Sequence, residues 1–275
     1  MSEVSPLLRV EGLGLDVPDR AAARGFGPAP TRMILRDVSF TLERGSTLGV
    51  IGESGSGKSS LARALTLLMP PQRGRIVFDG ADVAALPAQQ LVGYRARLQL
   101  VFQDPMSALN PRRRVGTSIV RPVQALDRLA GREPSTLAAE LLERVGLAPA
   151  LAERYPHELS GGQRQRVNIA RALALEPAAL IADEVTSGLD VSAQARIVAL
   201  LETLRRESGL ALIFISHDLS LVRSLCDELL ILRAGEVVEA GPSDRVFATP
   251  QHDYTRGLLA AIPLPDPDPA WLDLG

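Results

Sequence analysis

Cysteine is nearly missing from this chain. Cys226 is the only one in 275 residues, so no intramolecular disulfide can form, and neither an iron–sulfur cluster nor a cysteine-based zinc site can be built on it alone. A reducing, cytosolic compartment is the expectation. Aromatic residues make up 4% of the sequence, which leaves little for base-stacking platforms but does not touch recognition of phosphates. Long apolar runs are also absent. A spanning helix needs about 20 mostly apolar residues, and every apolar stretch here, including 209–216, is soon cut by charge or proline. Residues 1–10 carry Glu3 and lack the cationic start and apolar centre of a secretory signal. Neither export nor membrane crossing is expected. Excess charge of one sign is missing too: Lys plus Arg is 30 and Asp plus Glu is 32, a net charge of −2. No global positive field exists to draw in nucleic acid, so a wholly electrostatic DNA binder is excluded.

What the chain does have is 46% hydrophobic residues, ample for a core, and an α/β alternation. Residues 7–17 and 34–42 read as strands, joined by an Ala/Gly/Pro-rich loop over 18–31. The apolar run 47–51 enters a glycine-rich turn, and helical spacing over 58–69 continues until Pro70 and Pro71. A hairpin is predicted around 75–80, then a polar helix and a strand at 98–102. From 112 to 155 the strand signal vanishes, and Leu137, Leu141, Leu142 and Val145 keep helical spacing, with breaks at Pro122, Pro134 and Pro149. Buried-type strands at 179–182 and 210–216 flank an amphipathic helix over 192–207. A hairpin at 229–240, a short helix near 254–261 and a Pro/Asp-rich end close the chain. There is no internal repeat.

Three strings carry chemistry. Gly52-Glu53-Ser54-Gly55-Ser56-Gly57-Lys58-Ser59 fits the P-loop spacing and stands between a predicted strand and a predicted helix. Glycines there let backbone N–H groups turn inward around a phosphate, and the helix start adds its positive end. Lys58 would reach the β- and γ-phosphates, the Ser59 hydroxyl would ligate Mg²⁺, and Ser60 would add a donor. Next, the strand 179–182 delivers Asp183 and Glu184 at its carboxyl end, where ligands gather in open α/β sheets. Asp183 would hold magnesium through water, and Glu184 would orient and deprotonate an attacking water. Two solvated charges ending a strand would be the plainer explanation if no P-loop accompanied them. Third is Leu159-Ser160-Gly161-Gly162-Gln163, directly before a helical run. Alone it would mean an N-capped helix.

Together these strings make the chain resemble the ATP-binding-cassette ATPases, and the resemblance covers nearly its whole length. It implies a P-loop NTPase (RecA-like) α/β core with an antiparallel β subdomain and an inserted α-helical subdomain. Core and β subdomain would take residues 1–111 and 160–245, the helical subdomain 112–159 and an importer-type tail 246–275. It also implies that Ser160, Gly161, Gly162 and Gln163 face the γ-phosphate of an ATP held by a partner subunit. Gln103 looks like the Q-loop glutamine, which touches magnesium or the attacking water. Asp190, in Ser187-Gly188-Leu189-Asp190, looks like the D-loop residue, and His217 like the switch histidine. Three strings narrow the resemblance to oligopeptide, dipeptide and nickel importer ATPases: 103–112, 189–195, and the tail His252-Asp253-Tyr254-Thr255-Arg256-Gly257-Leu258-Leu259.

Some positions depart from the family pattern. Val17 stands where many relatives carry an adenine-stacking aromatic, with Phe26 a candidate substitute. Val185 replaces proline, Gly188 replaces alanine, and Asp253 replaces proline. The implied activity is ATP hydrolysis with ATP and Mg²⁺, coupled to import of peptides, nickel or an opine. The implied partners are two membrane permease subunits, a second cassette, of a different chain in preference to a copy, and indirectly a solute-binding protein. The site of work would be the cytoplasmic face of the membrane. Related cassettes power soluble machines for DNA repair, cluster assembly and phosphonate breakdown, but Arg112-Arg113-Arg114 in an acidic chain reads as a solvated or permease-facing patch, not as nucleic-acid binding. A regulatory subunit without turnover is the remaining alternative, and intact Glu184 and His217 argue against it.

Overall fold

The computed structural model describes residues 5–18 and 30–260. Most of the predicted loop 18–31, Phe26 within it and the Pro/Asp-rich end lie outside the described residues. In chain order the elements are β1 (Leu8–Pro18), β2 (Thr31–Leu42), β3 (Thr47–Ile51), α1 (Lys58–Leu65), β4 (Arg73–Phe78), β5 (Ala81–Asp82), α2 (Ala88–Arg97) and β6 (Leu98–Val101). After them come α3 (Pro105–Ala108), α4 (Val115–Ala125), α5 (Pro134–Arg144), α6 (Gly161–Leu173), β7 (Ala179–Asp183) and α7 (Val191–Ser208). The last are β8 (Ala211–Ile215), α8 (Leu219–Leu225), β9 (Glu228–Arg233), β10 (Glu236–Pro242), α9 (Ser243–Ala248) and α10 (Asp253–Ala260).

Two sheets result. The first is antiparallel, in the order β2-β1-β4-β5. The second has the order β10-β9-β3-β8-β7-β6, with only β10 antiparallel. Strands β3, β7 and β8 are buried at every position, which is why their sequences are unbroken apolar runs and do not alternate. Alternate side chains serve two cores. Leu180, Ala182, Leu212 and Phe214 join α4, α5, α6 and α7 on one side. Ala179, Ile181, Ile213 and Ile215 join α1 and the antiparallel sheet on the other.

The parallel register fixes the site. Asp183 pairs with Ile215, Ala182 with both Phe214 and Val101, and Val50 with Ile215. Hence β3, β6, β7 and β8 end at one edge, and the segments that follow them, beginning at Gly52, Phe102, Glu184 and Ser216, emerge side by side. In an open parallel sheet this carboxyl edge is where ligands bind.

Two expectations need correction. The first helix ends at Leu65, not Met69. Leu67 turns left-handed at φ 56°, Tyr94 Oη donates to the Leu65 carbonyl, and Arg95 donates to the carbonyls of Thr66 and Leu67. Side chains of α2 thus satisfy the open helix end several residues before the prolines. Nor does Pro122 break a helix: it lies inside α4. An interior proline costs a helix about 3 kcal/mol, and here burial of Val115, Ile119, Val120 and Val123 against the core holds the helix through it.

Candidate nucleotide site

Between β3 and α1 the chain makes a compact loop. Gly55 and Gly57 sit at φ 81° and 109°, conformations that a side chain resists. Ser56 N–H donates to the Glu53 carbonyl at 3.1 Å. Lys58 is 5% exposed, and its Nζ donates to the carbonyls of Gly52 and Glu53 at 2.7 and 2.9 Å. Burial pulls its pKa down, while the charges of Glu184, Asp183 and Glu53 oppose that shift. The lysine is therefore held along the loop it would serve, by two neutral acceptors that an incoming phosphate can replace.

The acidic pair stands opposite. Ser59 Oγ donates to Asp183 Oδ1 at 3.1 Å. Burial raises the Asp183 pKa, as does Glu184, against the Ser59 hydrogen bond and the charges of Arg63 and Lys58. A hydroxyl and a carboxylate this close are hard oxygen donors of the kind magnesium takes, with its remaining positions left for water and phosphate, so the residues present fit that ion. Glu184 follows in a left-handed conformation at φ 48°, fixed by its N–H on the Ile215 carbonyl at 2.9 Å. Strain of this kind at a non-glycine residue costs about 1–3 kcal/mol and persists where the surroundings over-determine it. The turn brings the carboxylate under Gln103 Nε2, 2.8 Å from Oε2, and within 3.8 Å of His217 Nδ1. Asp218, next in chain, caps α8 through the N–H groups of Ser220 and Leu221. Arg32, Ile34, Ser54, Gly55, Gly57, Lys58, Ser59, Ser60, Gln103 and Glu184 border one open cavity of about 330 Å³. Among the described residues of this lining none is aromatic.

The glycine pentapeptide lies elsewhere. Ser160 is the N-cap of α6, with Gln163 N–H donating to its Oγ and its own N–H donating to Gln163 Oε1 at 2.9 Å, a capping box. Asp190 caps α7, accepting from Ala193 N–H and the Ser192 hydroxyl at 2.8 and 2.6 Å. The Ser192 hydrogen bond is foremost in holding its carboxyl below the ordinary range. Side chains of Gln163 and Asp190 are thus occupied within their own chain. Ser160, Gly161, Gly162, Gly188, Leu189, Asp190 and two arginines, Arg166 and Arg196, border a second cavity of about 180 Å³. It shares no residue with the first.

Residues 35–187 match the family described as ABC transporter. The chain belongs to the ABC transporter family. Residues 238–274 of this cassette match the oligopeptide/dipeptide transporter C-terminal region. It is 48% identical to a Sinorhizobium fredii protein named "Probable peptide ABC transporter ATP-binding protein", over 98% of this chain and 76% of that one. It is also 46% identical to the glutathione import ATP-binding protein of Escherichia coli K12, over 95% of this chain but 42% of that longer protein. Among solved structures, a dimeric post-hydrolysis state of the ATP-binding cassette MJ0796 with ADP and Pi superposes at TM-score 0.74, 27% identical, covering 86% of this chain and 98% of the other. A Clostridium perfringens cassette of the transporter complex cbiONQ gives 0.73 at 28% identity, over 89% and 91%. The cassette is an ATPase of mixed α/β fold.

The motif residues thus fall into two groups: Lys58, Ser59, Asp183, Glu184, Gln103 and His217 come together, while Ser160, Gly161, Gly162 and Asp190 gather apart. Sequence reading missed the residues behind the loop. Gly235, in the β9–β10 turn, donates its N–H to the Ser56 carbonyl at 2.9 Å and accepts from Arg36 N–H at 2.8 Å. Glu53 N–H donates to Tyr254 Oη at 2.9 Å. A turn glycine and a tail tyrosine carry no local signal of such contacts.

Proposed function

We propose that the chain is the ATPase subunit of an importer for peptides or a related small solute such as nickel or an opine, working beside a second and different cassette on two permease subunits at the cytoplasmic face of the membrane. A solute-binding protein would feed that assembly from the other side. Support for the transport class comes from the tail match over 238–274 and from the peptide- and glutathione-import names of the relatives. Support for the pairing comes from the two separate cavities: on one copy the loop that would cradle phosphates and the helix start that would attract them border different spaces.

In this reading the P-loop amides and Lys58 hold the β- and γ-phosphates, with Gly52 to Ser60 as the cradle. Ser59 and Asp183 hold magnesium, with Gln103 turning towards it from Glu184. Magnesium, when bound, neutralises charge shared by the β- and γ-phosphates. Glu184 orients the water and accepts its proton, and His217, exposed beside it, contacts the γ-phosphate. Ser160 with the Gly161 and Gly162 amides closes the partner's site and excludes water. The test is purification of the chain from its own cells in mild detergent, with mass spectrometry of what stays bound. Two permease chains and a second cassette are expected; a soluble enzyme complex or nucleic acid would overturn the transport reading and leave the ATPase standing.

A further inference from the structure

The tail helix α10 reaches back to the phosphate loop, through a contact that the proposed function does not use. Tyr254 stands in its first turn. Its Oη accepts the hydrogen bond from Glu53 N–H at 2.9 Å, across 201 positions of sequence. Arg233 of β9 lies over its ring, 5.0 Å from the centroid, a cation–π contact that fixes the ring's plane. The helix itself is tied down behind the tyrosine. Glu239 of β10 accepts from the N–H groups of Gln251 and His252 at 2.8 and 3.1 Å, and His252 Nδ1 accepts from Tyr254 N–H at 3.0 Å. Arg256 donates to the carbonyls of Pro250 and Gln251. Every link between β10 and the phenol is thus held.

On the other side of the same peptide plane, the Gly52 carbonyl accepts from Lys58 Nζ at 2.7 Å, and the Glu53 carbonyl, in the next peptide, accepts from it at 2.9 Å. One residue of the loop is therefore gripped at both ends, by the tail at its amide and by the phosphate-binding lysine at its carbonyl. The Ser56 carbonyl is gripped by Gly235 at 2.9 Å. Two anchors, from β9–β10 and from α10, hold the loop, whose residues Ser54, Gly55, Gly57 and Lys58 border the cavity.

We infer that Tyr254 is a positioning residue for ATP binding: its hydroxyl holds the Glu53 peptide so that the loop is formed before the triphosphate arrives. A loop ordered in advance spends less of its binding free energy on ordering itself. Releasing one hydrogen bond of this kind is expected to weaken binding by roughly three- to tenfold. The inference rests on the P-loop reading of the site.

The decisive variant is Tyr254→Phe in the full chain, which keeps the ring, its contact with Arg233 and the docking of α10 while deleting the acceptor. ATP affinity is measured by calorimetry with magnesium, KM and kcat by phosphate release, and amide exchange by mass spectrometry without nucleotide. The expected result is a raised Kd and KM, kcat at saturating ATP within twofold of wild type, and faster exchange confined to peptides containing Glu53. A Kd within twofold of wild type overturns the inference. So does faster exchange spread over β7 and β8, because the tyrosine would then be a general support. Lys58→Ala separates the two layers of argument: if it loses ATP while Tyr254→Phe does not, the brace fails and the phosphate site stands; if it binds ATP as wild type does, the phosphate-site reading itself falls.

Discussion

Gly235→Ala tests whether the β9–β10 turn holds the phosphate loop. Gly235 is at φ 85°, and a Cβ there would lie 2.1 Å from the Ile34 carbonyl oxygen and 2.9 Å from its carbon. Ordinary C···O contact begins at about 3.3 Å, so β2 and the turn must part by about 1 Å. The hydrogen bond across that gap, Arg36 N–H to the Gly235 carbonyl at 2.8 Å, does not survive such a shift, and the displaced turn also loses the bond from Gly235 N–H to the Ser56 carbonyl of the phosphate loop, now 2.9 Å. Left-handed alanine costs roughly 1–2 kcal/mol, and each lost bond costs about 1 kcal/mol. The sum, about 3–4 kcal/mol, lowers Tm by about 6–16 °C. Gly131→Ala is the control, because Gly131 is also left-handed, at φ 80°, yet its Cβ would meet nothing within 4 Å. It should lose only the strain of about 1–2 kcal/mol and keep wild-type ATP affinity. The assays are calorimetric melting without nucleotide and titration with ATP. If the two variants melt together, or if Gly235→Ala keeps wild-type affinity, the turn does not hold the loop.

Other consequences are as direct. Glu184→Gln keeps shape and the Gln103 contact but removes the proton acceptor, so ATP binding should persist in titration while phosphate release falls by about two to four orders of magnitude; an unchanged rate would remove Glu184 from that role. Lys58→Ala should weaken ATP binding itself, and tight binding by that variant would contradict the P-loop geometry. Asp183→Asn should stabilise the nucleotide-free chain at pH 7 while depressing magnesium-dependent hydrolysis. Burial raises the Asp183 pKa in the fold, so its ionised form is the disfavoured one. The stability Asp183 contributes is full below its unfolded value and is lost as pH rises through the folded one. The advantage of Asn in melting should therefore shrink towards pH 4, and an advantage that grows on acidification would reverse the assignment. Tyr94→Phe should destabilise by about 1–3 kcal/mol in denaturant unfolding, since the Leu65 carbonyl loses its donor inside the core, while ATP affinity stays as it is.

Much of this arrangement was legible in the sequence, for reasons that differ by element. Strands β3, β7 and β8 are continuous apolar runs because both their faces are buried, and glycines at 52, 55 and 57 announce a loop that needs open backbone angles. The long helical stretch declared itself through Leu137, Leu141 and Leu142 on one face of α5. What stayed hidden is tertiary. The end of α1 depends on Tyr94 and Arg95, about thirty positions away, and Pro122 is tolerated because α4 is buried around it. Nothing in Asp183-Glu184-Val185 marks the left-handed turn that aims Glu184 at Gln103; only the burial of Val185, 2% exposed, follows from its apolar side chain. The grip of Tyr254 on Glu53 leaves no periodic or motif signal; the tail string was visible, its destination was not.

The pentapeptide shows how capping and binding divide the same backbone. An α-helix begins with N–H groups that have no partner within it. In α6 the capping box serves Gln163 N–H and Ser160 N–H, and among the described residues nothing accepts from Gly161 or Gly162. Gly161 and Gly162 border the cavity that Asp190 and Leu189 also border, at the positive end of a helix of 13 residues. The approach on that side is close: a Cβ on Gly161 would lie 3.3 Å from Leu189 Cδ2 and one on Gly162 3.3 Å from Ala193 Cβ, so each of those side chains would have to give by a few tenths of an ångström. The box that consumes the Gln163 side chain therefore keeps two donors unspent and in fixed directions. The Asp190 cap holds α7 close enough to shape their surroundings. On the proposed reading, these amides are the half-site that a second cassette's nucleotide completes, and the energy that rigidifies them is already spent within a single chain.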